Sequence, residues 1–144
     1  MNRMKPNMSL LRDNAGATML EFALLAPMLI AMTMGIFSVG LQMHDSAALR
    51  SVASDMSRYA VIEYQRENKM NAAQIRNVAA AMASRPPYAL NGNQLDVTVT
   101  EETSPIAGAR MFTLTLTYEP FNPLKFYNVL APTLTHEQNI YVPA

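Results

Sequence analysis

Residues able to do acid-base or metal chemistry are few in this sequence and lie far apart. His44 and His136 are the only histidines, and neither stands in a known motif. Glu101 and Glu102 precede Pro105, a context more typical of a solvated loop than of paired catalytic acids. The chain has no cysteine, and it lacks a Gly-rich phosphate loop and a G-x-S-x-G elbow. We therefore expect no enzyme activity, no cofactor and no metal site.

The composition narrows the class of protein further. The chain has 144 residues, which is room for one domain and one appended element. Acidic and basic residues number 11 each, and 15% of the residues are charged, below the roughly 25% usual for soluble domains. Because there is no basic excess to neutralise a phosphate backbone, we expect no nucleic-acid partner.

The distribution of charge along the chain indicates a membrane span. The first 16 residues carry basic side chains at Arg3, Lys5 and Arg12. Residues 22–43 are 22 consecutive uncharged residues, and as a helix they would reach roughly 33 Å, enough to cross a bilayer. Because the basic flank precedes the run, the positive-inside rule predicts a cytoplasmic N-terminus and an external chain after about residue 44.

Two other interpretations of the apolar run fit the sequence less well. A secretory signal peptide has an apolar region of about 7 to 15 residues, shorter than this one, and Ser38-Val39-Gly40 is a mediocre cleavage site. A buried helix of a soluble protein would need more chain around it than the sequence supplies. A membrane-spanning helix that is kept in the mature chain explains the pattern better than either.

Helical periodicity continues beyond the run, and one helix is predicted from Ala17 to Lys69. Its second half is amphipathic, with an apolar stripe at Ala48, Leu49, Val52, Ala53, Met56, Tyr59, Ala60 and Glu63. Asn71 and Gln74 form a capping-box pair that predicts a second helix from Ala72 to Ala83. The apolar face of that helix is predicted at Ile75, Val78, Ala79 and Met82.

After Pro86 and Pro87 the period changes to two, which predicts strands. Two strands are predicted at 95–100 and 111–118, joined by a connection of about ten residues, and a third at 135–142. Residues 119–132 are expected to be irregular. The predicted fold is α+β, with a long helix, a short helix and a small antiparallel sheet. The predicted domain organisation is a leader (1–16), a transmembrane helix (17–43) and an outer domain (44–144) that comprises a helix extension (44–70), the second helix (71–84) and the strands and loops (95–142).

The residues at the start of the apolar run carry a family resemblance. Residues 16–22 read GATMLEF, which resembles a class III prepilin signal of the tight-adherence (Tad/Flp) type. The following ALLAP and the overall layout are similar to the TadE-like pseudopilins. The major pilins of that system are shorter and carry Tyr after the glutamate, where this chain has Phe22. The resemblance therefore implies a minor subunit.

The resemblance implies roles for Gly16, Ala17, Glu21 and Phe22, the last two in subunit assembly, and the chemistry of proline gives a role to Pro27. A prepilin peptidase would cut between Gly16 and Ala17, and a glycine gives its carboxylates close access to the bond. Glu21 would pair in the apolar bundle with the new amine of Ala17 on a neighbouring subunit. A simpler role for Glu21 is that of an interfacial acid favoured by the helix dipole. Pro27 removes a backbone hydrogen bond and is expected to bend or loosen the helix.

The function implied is that of a minor pilin or pseudopilin in the assembly of an adhesive pilus. Its partners would be the prepilin peptidase, other pilins through helix packing, the inner-membrane assembly complex and the lipid bilayer. It would sit in the bacterial inner membrane as a single-pass protein with its domain in the periplasm or outside the cell. The main alternative is an uncut single-pass adaptor whose outer domain binds a partner. An enzyme accessory subunit or ligand sensor is a further alternative.

Overall fold

The computed structural model describes residues 15–123, 125 and 132–143. Along the chain it contains the helices α1 (Ala15–Gln65) and α2 (Ala72–Ala83), followed by the strands β1 (Leu95–Glu102), β2 (Ala109–Tyr118) and β3 (Leu134–Pro143). The predicted α+β fold, with its long helix, short helix and three-stranded antiparallel sheet, is confirmed. Part of the predicted irregular stretch 119–132, and most of the predicted leader, lie outside the described residues.

Helix α1 is a single helix of 51 residues, roughly 77 Å long, and it runs through Pro27 without interruption. Its first half is apolar on every side and stays exposed. The most apolar 18-residue window has a mean hydropathy of 2.1, and 6% of it is buried inside the protein. A helix that is apolar all round but uncovered by its own chain is long and apolar enough to cross a membrane.

The second half of α1 packs on the rest of the protein through one face. Most of the predicted stripe is buried: Ala48, Leu49, Val52, Ala53, Met56 and Ala60. The prediction is wrong for Tyr59, which is 38% exposed, while Tyr64 is buried instead. Glu63 is only partly buried. The sequence predicts burial of Tyr59 and Glu63 because each lies seven residues after a buried position, Val52 or Met56. A helix has 3.6 residues per turn, so positions seven residues apart do not stay on the same face.

Helix α1 ends earlier than the predicted Lys69. Glu67 adopts a left-handed conformation with φ of 62°, and the Asn68 N–H donates to the Glu63 carbonyl at 3.0 Å. This is the hydrogen-bond pattern of a Schellman motif, which stops a helix.

The capping box of α2 forms as predicted. The backbone N–H of Gln74 donates to Asn71 Oδ1, and the N–H of Asn71 donates to Gln74 Oε1, both at 2.9 Å.

The sheet has the order β1-β2-β3, so β2 is central. Helix α1 packs mainly against β3 and helix α2 against β1. The buried face predicted for β2 is confirmed, since Phe112, Leu114, Leu116 and Tyr118 are all buried, but the strict alternation is not, because Met111 and Thr113 on the opposite face are buried as well. The residues of the predicted face form one core with the stripe of α1 and with Ile75, Ala79 and Ile140. The predicted face of α2 is confirmed at Ile75 and Ala79, while Val78 and Met82 pack against the core from its edge.

The link between β1 and β2 is shorter than the ten residues predicted. Pairing continues to Glu102 opposite Met111, so only residues 103–108 connect the strands. Gly108 has a φ of 78°, a conformation that favours glycine. The strands are longer than predicted because the polar residues Glu101, Glu102 and Arg110 lie within the ladder.

Candidate functional site

The predicted processing motif lies at the very start of α1. Gly16 is the second residue of the helix, and a Cβ built on it would meet no atom within 4 Å. Ala17, Glu21 and Phe22 are all exposed. Ala17 and Glu21 are four residues apart and therefore share one helix face, about 6 Å apart along the axis. The bond between Gly16 and Ala17 is not enclosed by any described part of the chain.

Glu21 is the one acidic residue of the exposed apolar half of α1. No hydrogen bond or ion pair reaches its carboxylate from the residues that the structure describes. Its nearest apolar neighbours along the helix include Leu20, Phe22, Leu24 and Leu25, all more than half exposed. A carboxylate on such a surface would be strongly destabilised in hydrocarbon unless a cation or a polar group meets it there.

Neither histidine forms part of a metal site in the described residues. His44 is exposed where the apolar run of α1 ends, and His136 is partly buried on β3 opposite Leu116. Across the described parts of the chain, no group of three or more His, Asp or Glu side chains is placed to hold a metal ion.

Glu101 and Glu102 lie in β1 rather than in the loop predicted for them, and they do not face each other as a catalytic pair. Glu101 forms an ion pair with Arg110, whose Nη2 lies 2.7 Å from Glu101 Oε1. Glu102 Oε1 is 3.5 Å from the hydroxyl of Thr100. The two carboxylates therefore have different partners and do not form a pair.

A polar cluster that sequence reasoning missed joins α1 to the sheet. Arg110 donates from Nε to Glu101 at 2.8 Å and from Nη1 to the Tyr64 hydroxyl at 3.4 Å. Its guanidinium carbon lies 5.2 Å from the centre of the Phe112 ring. The hydroxyl of Tyr64 donates to the Met70 carbonyl at 2.8 Å. The hydrogen bond to Glu101 raises the pKa of Arg110, and burial is the main reason that the pKa of Tyr64 is raised.

This cluster is structural in character. It fixes the end of α1 and the chain that follows it to the start of β2. Tyr64 and Arg110 are 46 positions apart in the sequence. The register of the sheet, which places Glu101 opposite Phe112, brings Glu101 close to Arg110, and the packing of α1 on the sheet brings Tyr64 to them.

A surface cleft of about 470 Å³ lies between α1 and α2. It is lined by Tyr59, Val78, Ala81, Met82, Arg85, Pro86 and Tyr88. The hydroxyl of Tyr88 donates a hydrogen bond to Asp55 of α1, and this bond is the main reason that the pKa of Tyr88 is raised. Tyr59 is exposed because its side chain lines this cleft instead of facing the sheet.

An exposed apolar helix that continues into a small α+β domain fits a membrane-anchored protein. The family model for TadE-like proteins matches residues 16–58, which confirms the resemblance drawn from the sequence. The match begins at Gly16 and covers the apolar half of α1 and most of its amphipathic half. No curated protein and no solved structure matches the chain. The family suggests that this is a pilin-like protein associated with the Tad pilus.

Proposed function

We propose that this chain is a TadE-like minor pilin or pseudopilin that prepilin peptidase cuts between Gly16 and Ala17. The match to the TadE-like family, which begins at the proposed cleavage glycine, carries the proposal. The protein would then join the assembly of an adhesive Tad/Flp pilus through packing of α1 with other pilins. Its role would be structural and not catalytic.

The geometry of α1 supports cleavage at this bond. Gly16 is open on the side where a Cβ would stand, so an incoming peptidase meets no obstacle from the described chain. The bond also lies at the end of the exposed apolar helix, where a membrane peptidase would reach it. A larger side chain at position 16 should therefore affect the peptidase without disturbing the fold.

The mass of the protein extracted from membranes tests the proposal. The native chain should lack residues 1–16, and Gly16→Leu should keep them. Gly40→Leu is the matched control, because Gly40 is equally open on the same helix but is far from the bond. A native chain of full length would favour the uncut adaptor, and normal trimming of Gly16→Leu would contradict the assigned site.

The proposed pairing of Glu21 with the Ala17 amine predicts a different defect. Glu21→Ala leaves the bond intact, so trimming should continue while the amine loses its partner in the apolar bundle. Loss of one member of a buried pair costs roughly 3 to 5 kcal/mol, enough to lower incorporation more than about a hundredfold. Co-purification with sheared pili measures this loss. A trimmed Glu21→Ala protein that assembles at the normal level would rule out the pairing.

The proposed orientation places the domain outside the cytoplasm. A reporter that is active only outside the cytoplasm should be active when fused after Ala144 and inactive when fused near Leu10. The opposite pattern would reverse the topology but would not by itself decide whether the chain is cut.

A further inference from the structure

The chain that follows β2 turns back towards the apolar half of α1. Strand β2 ends at Tyr118, which pairs with Leu95 and Leu134. The Glu119 N–H donates to the Gln94 carbonyl at 3.0 Å, which fixes the point where the chain leaves the sheet. Beyond it, Phe121 is 62% exposed and lies beside the exposed apolar half of α1, and a contiguous exposed apolar patch of this kind marks a surface that contacts lipid or protein.

Four residues of this stretch face α1, and we call them the return segment: Phe121, Asn122, Pro123 and Lys125. With three residues of α1 they line a cleft of about 690 Å³. The helix residues are Ile30, Met34 and Phe37, which are spaced i, i+4 and i+7 and therefore share one face. All three remain more than 40% exposed. The cleft is thus apolar, open and continuous with the uncovered surface of the helix.

The position of this cleft conflicts with the span predicted from the sequence. Residues 22–43 would all lie in hydrocarbon, and Met34 would be roughly 13 Å from the outer end of the run. The return segment would then hold an irregular backbone and the ammonium group of Lys125 against lipid tails. Irregular backbone facing lipid does not occur in the hydrocarbon region, because its polar groups find no partners there. A span that ends before residue 43 avoids this conflict.

We infer that the return segment is an interfacial anchor at the boundary between the phospholipid headgroups and tails, and that α1 leaves the hydrocarbon near Phe37, the outermost of the three helix residues that line the cleft. The side chain of Phe121 then meets the upper part of the lipid tails, as aromatic residues do at membrane interfaces. Lys125 lies at the level of the lipid phosphates, which attract cationic side chains. The occupant of the cleft is the lipid of the leaflet on the domain side.

If α1 leaves the hydrocarbon near Phe37 on the domain side, the position at which it enters on the other side also changes. A hydrocarbon core of about 30 Å corresponds to about 20 helical residues, so the span would run from about Thr18 to Phe37. The bond between Gly16 and Ala17 then lies at the opposite membrane surface, and Glu21 lies about one turn inside it. This consequence agrees with the proposed cleavage, but the depth of the return segment does not depend on whether the chain is cut.

Tryptophan fluorescence can measure this depth, since the chain has no tryptophan of its own. The full chain with Phe121→Trp is reconstituted in phospholipid vesicles whose tails carry bromine near the headgroup or near the bilayer centre. The expected result is stronger quenching by the shallow bromine. Phe37→Trp should behave in the same way, and Lys125→Trp supplies an independent reporter on the return segment. Ile106→Trp is the control, because Ile106 is 54% exposed in the loop at the other end of β2.

Each other outcome would overturn the inference. If Phe121→Trp and Lys125→Trp are quenched only by aqueous acrylamide, the segment is in water. Stronger quenching by the deep bromine would contradict the exit near Phe37. Protection from both quenchers, lost when the protein is diluted with excess lipid, would mean that a second protein copy covers the cleft. The uncut chain is used throughout, so a chain that is never cleaved would overturn the proposed function and leave this result unaffected.

Discussion

The division of α1 into a lipid-facing half and a domain-packing half can be tested with two identical substitutions on one helix. Leu49 is 1% exposed and belongs to the core, whereas Leu29 is 59% exposed in the apolar half. Leu49→Ala removes buried methyl groups and should cost roughly 2 to 5 kcal/mol of domain stability. Leu29→Ala removes no core contact and should change the free energy of unfolding of the domain by less than about 0.5 kcal/mol.

The size of the effect makes it measurable. A domain of about 100 residues has a free energy of unfolding of roughly 5 to 15 kcal/mol, so Leu49→Ala removes a large share of it. With a urea dependence of about 1 to 3 kcal/mol per molar, the unfolding midpoint should fall by on the order of 1 to 3 M. The assay is pulse proteolysis of the full chain in detergent micelles across a urea series.

Two results would refute this division of the helix. An unchanged midpoint for Leu49→Ala would mean that α1 does not pack on the sheet as the structure has it. Equal losses for Leu49→Ala and Leu29→Ala would mean that the apolar half unfolds together with the domain. In that case α1 could not be treated as a membrane half and a domain half.

Three further predictions concern the domain. Asn71→Ala removes the acceptor for the Gln74 N–H and should destabilise the domain by about 1 kcal/mol in the same urea assay. Glu67→Gly should stabilise the domain by about 1 kcal/mol and so raise the urea midpoint, because Glu67 is held in a left-handed conformation that favours glycine. The hydrogen bond to Asp55 raises the pKa of Tyr88 above its usual value near 10. The unfolded chain therefore releases this proton first, stability should fall as the pH rises above about 10, and Tyr88→Phe should make the fall shallower in alkaline unfolding curves.

The helices and strands could be predicted because each leaves a local signal in the sequence, either the spacing of its apolar residues or the residues that cap it. The apolar run, the capping box and the alternating strands are local patterns, and the elements that they predict all form. The end of α1 could not be predicted because no Gly or Pro marks it. It depends on the left-handed conformation of Glu67 and on hydrogen bonds to the Glu63 carbonyl and carboxylate.

Part of the candidate site could also be predicted from local sequence, and part could not. The motif from Gly16 to Phe22 is contiguous and could be read directly from the sequence. The cluster around Arg110 and the cleft beside Met34 depend on contacts between residues far apart in the chain. Their formation requires the strand register and the path of the chain after Tyr118, neither of which leaves a local signal.

The placement of the core has a consequence for how this protein could leave the membrane during assembly. Every core residue in the described chain lies at or beyond Ala48, while the continuous exposed apolar surface of the first half of α1 ends at Met43. Movement of the helix out of the bilayer would therefore leave the domain core intact. The cleft between the return segment and Met34 is different, because it joins the two halves in the described structure. If lipid fills this cleft in the membrane, another apolar surface must replace it in a pilus, and the packing face of a neighbouring α1 is a surface of that chemistry.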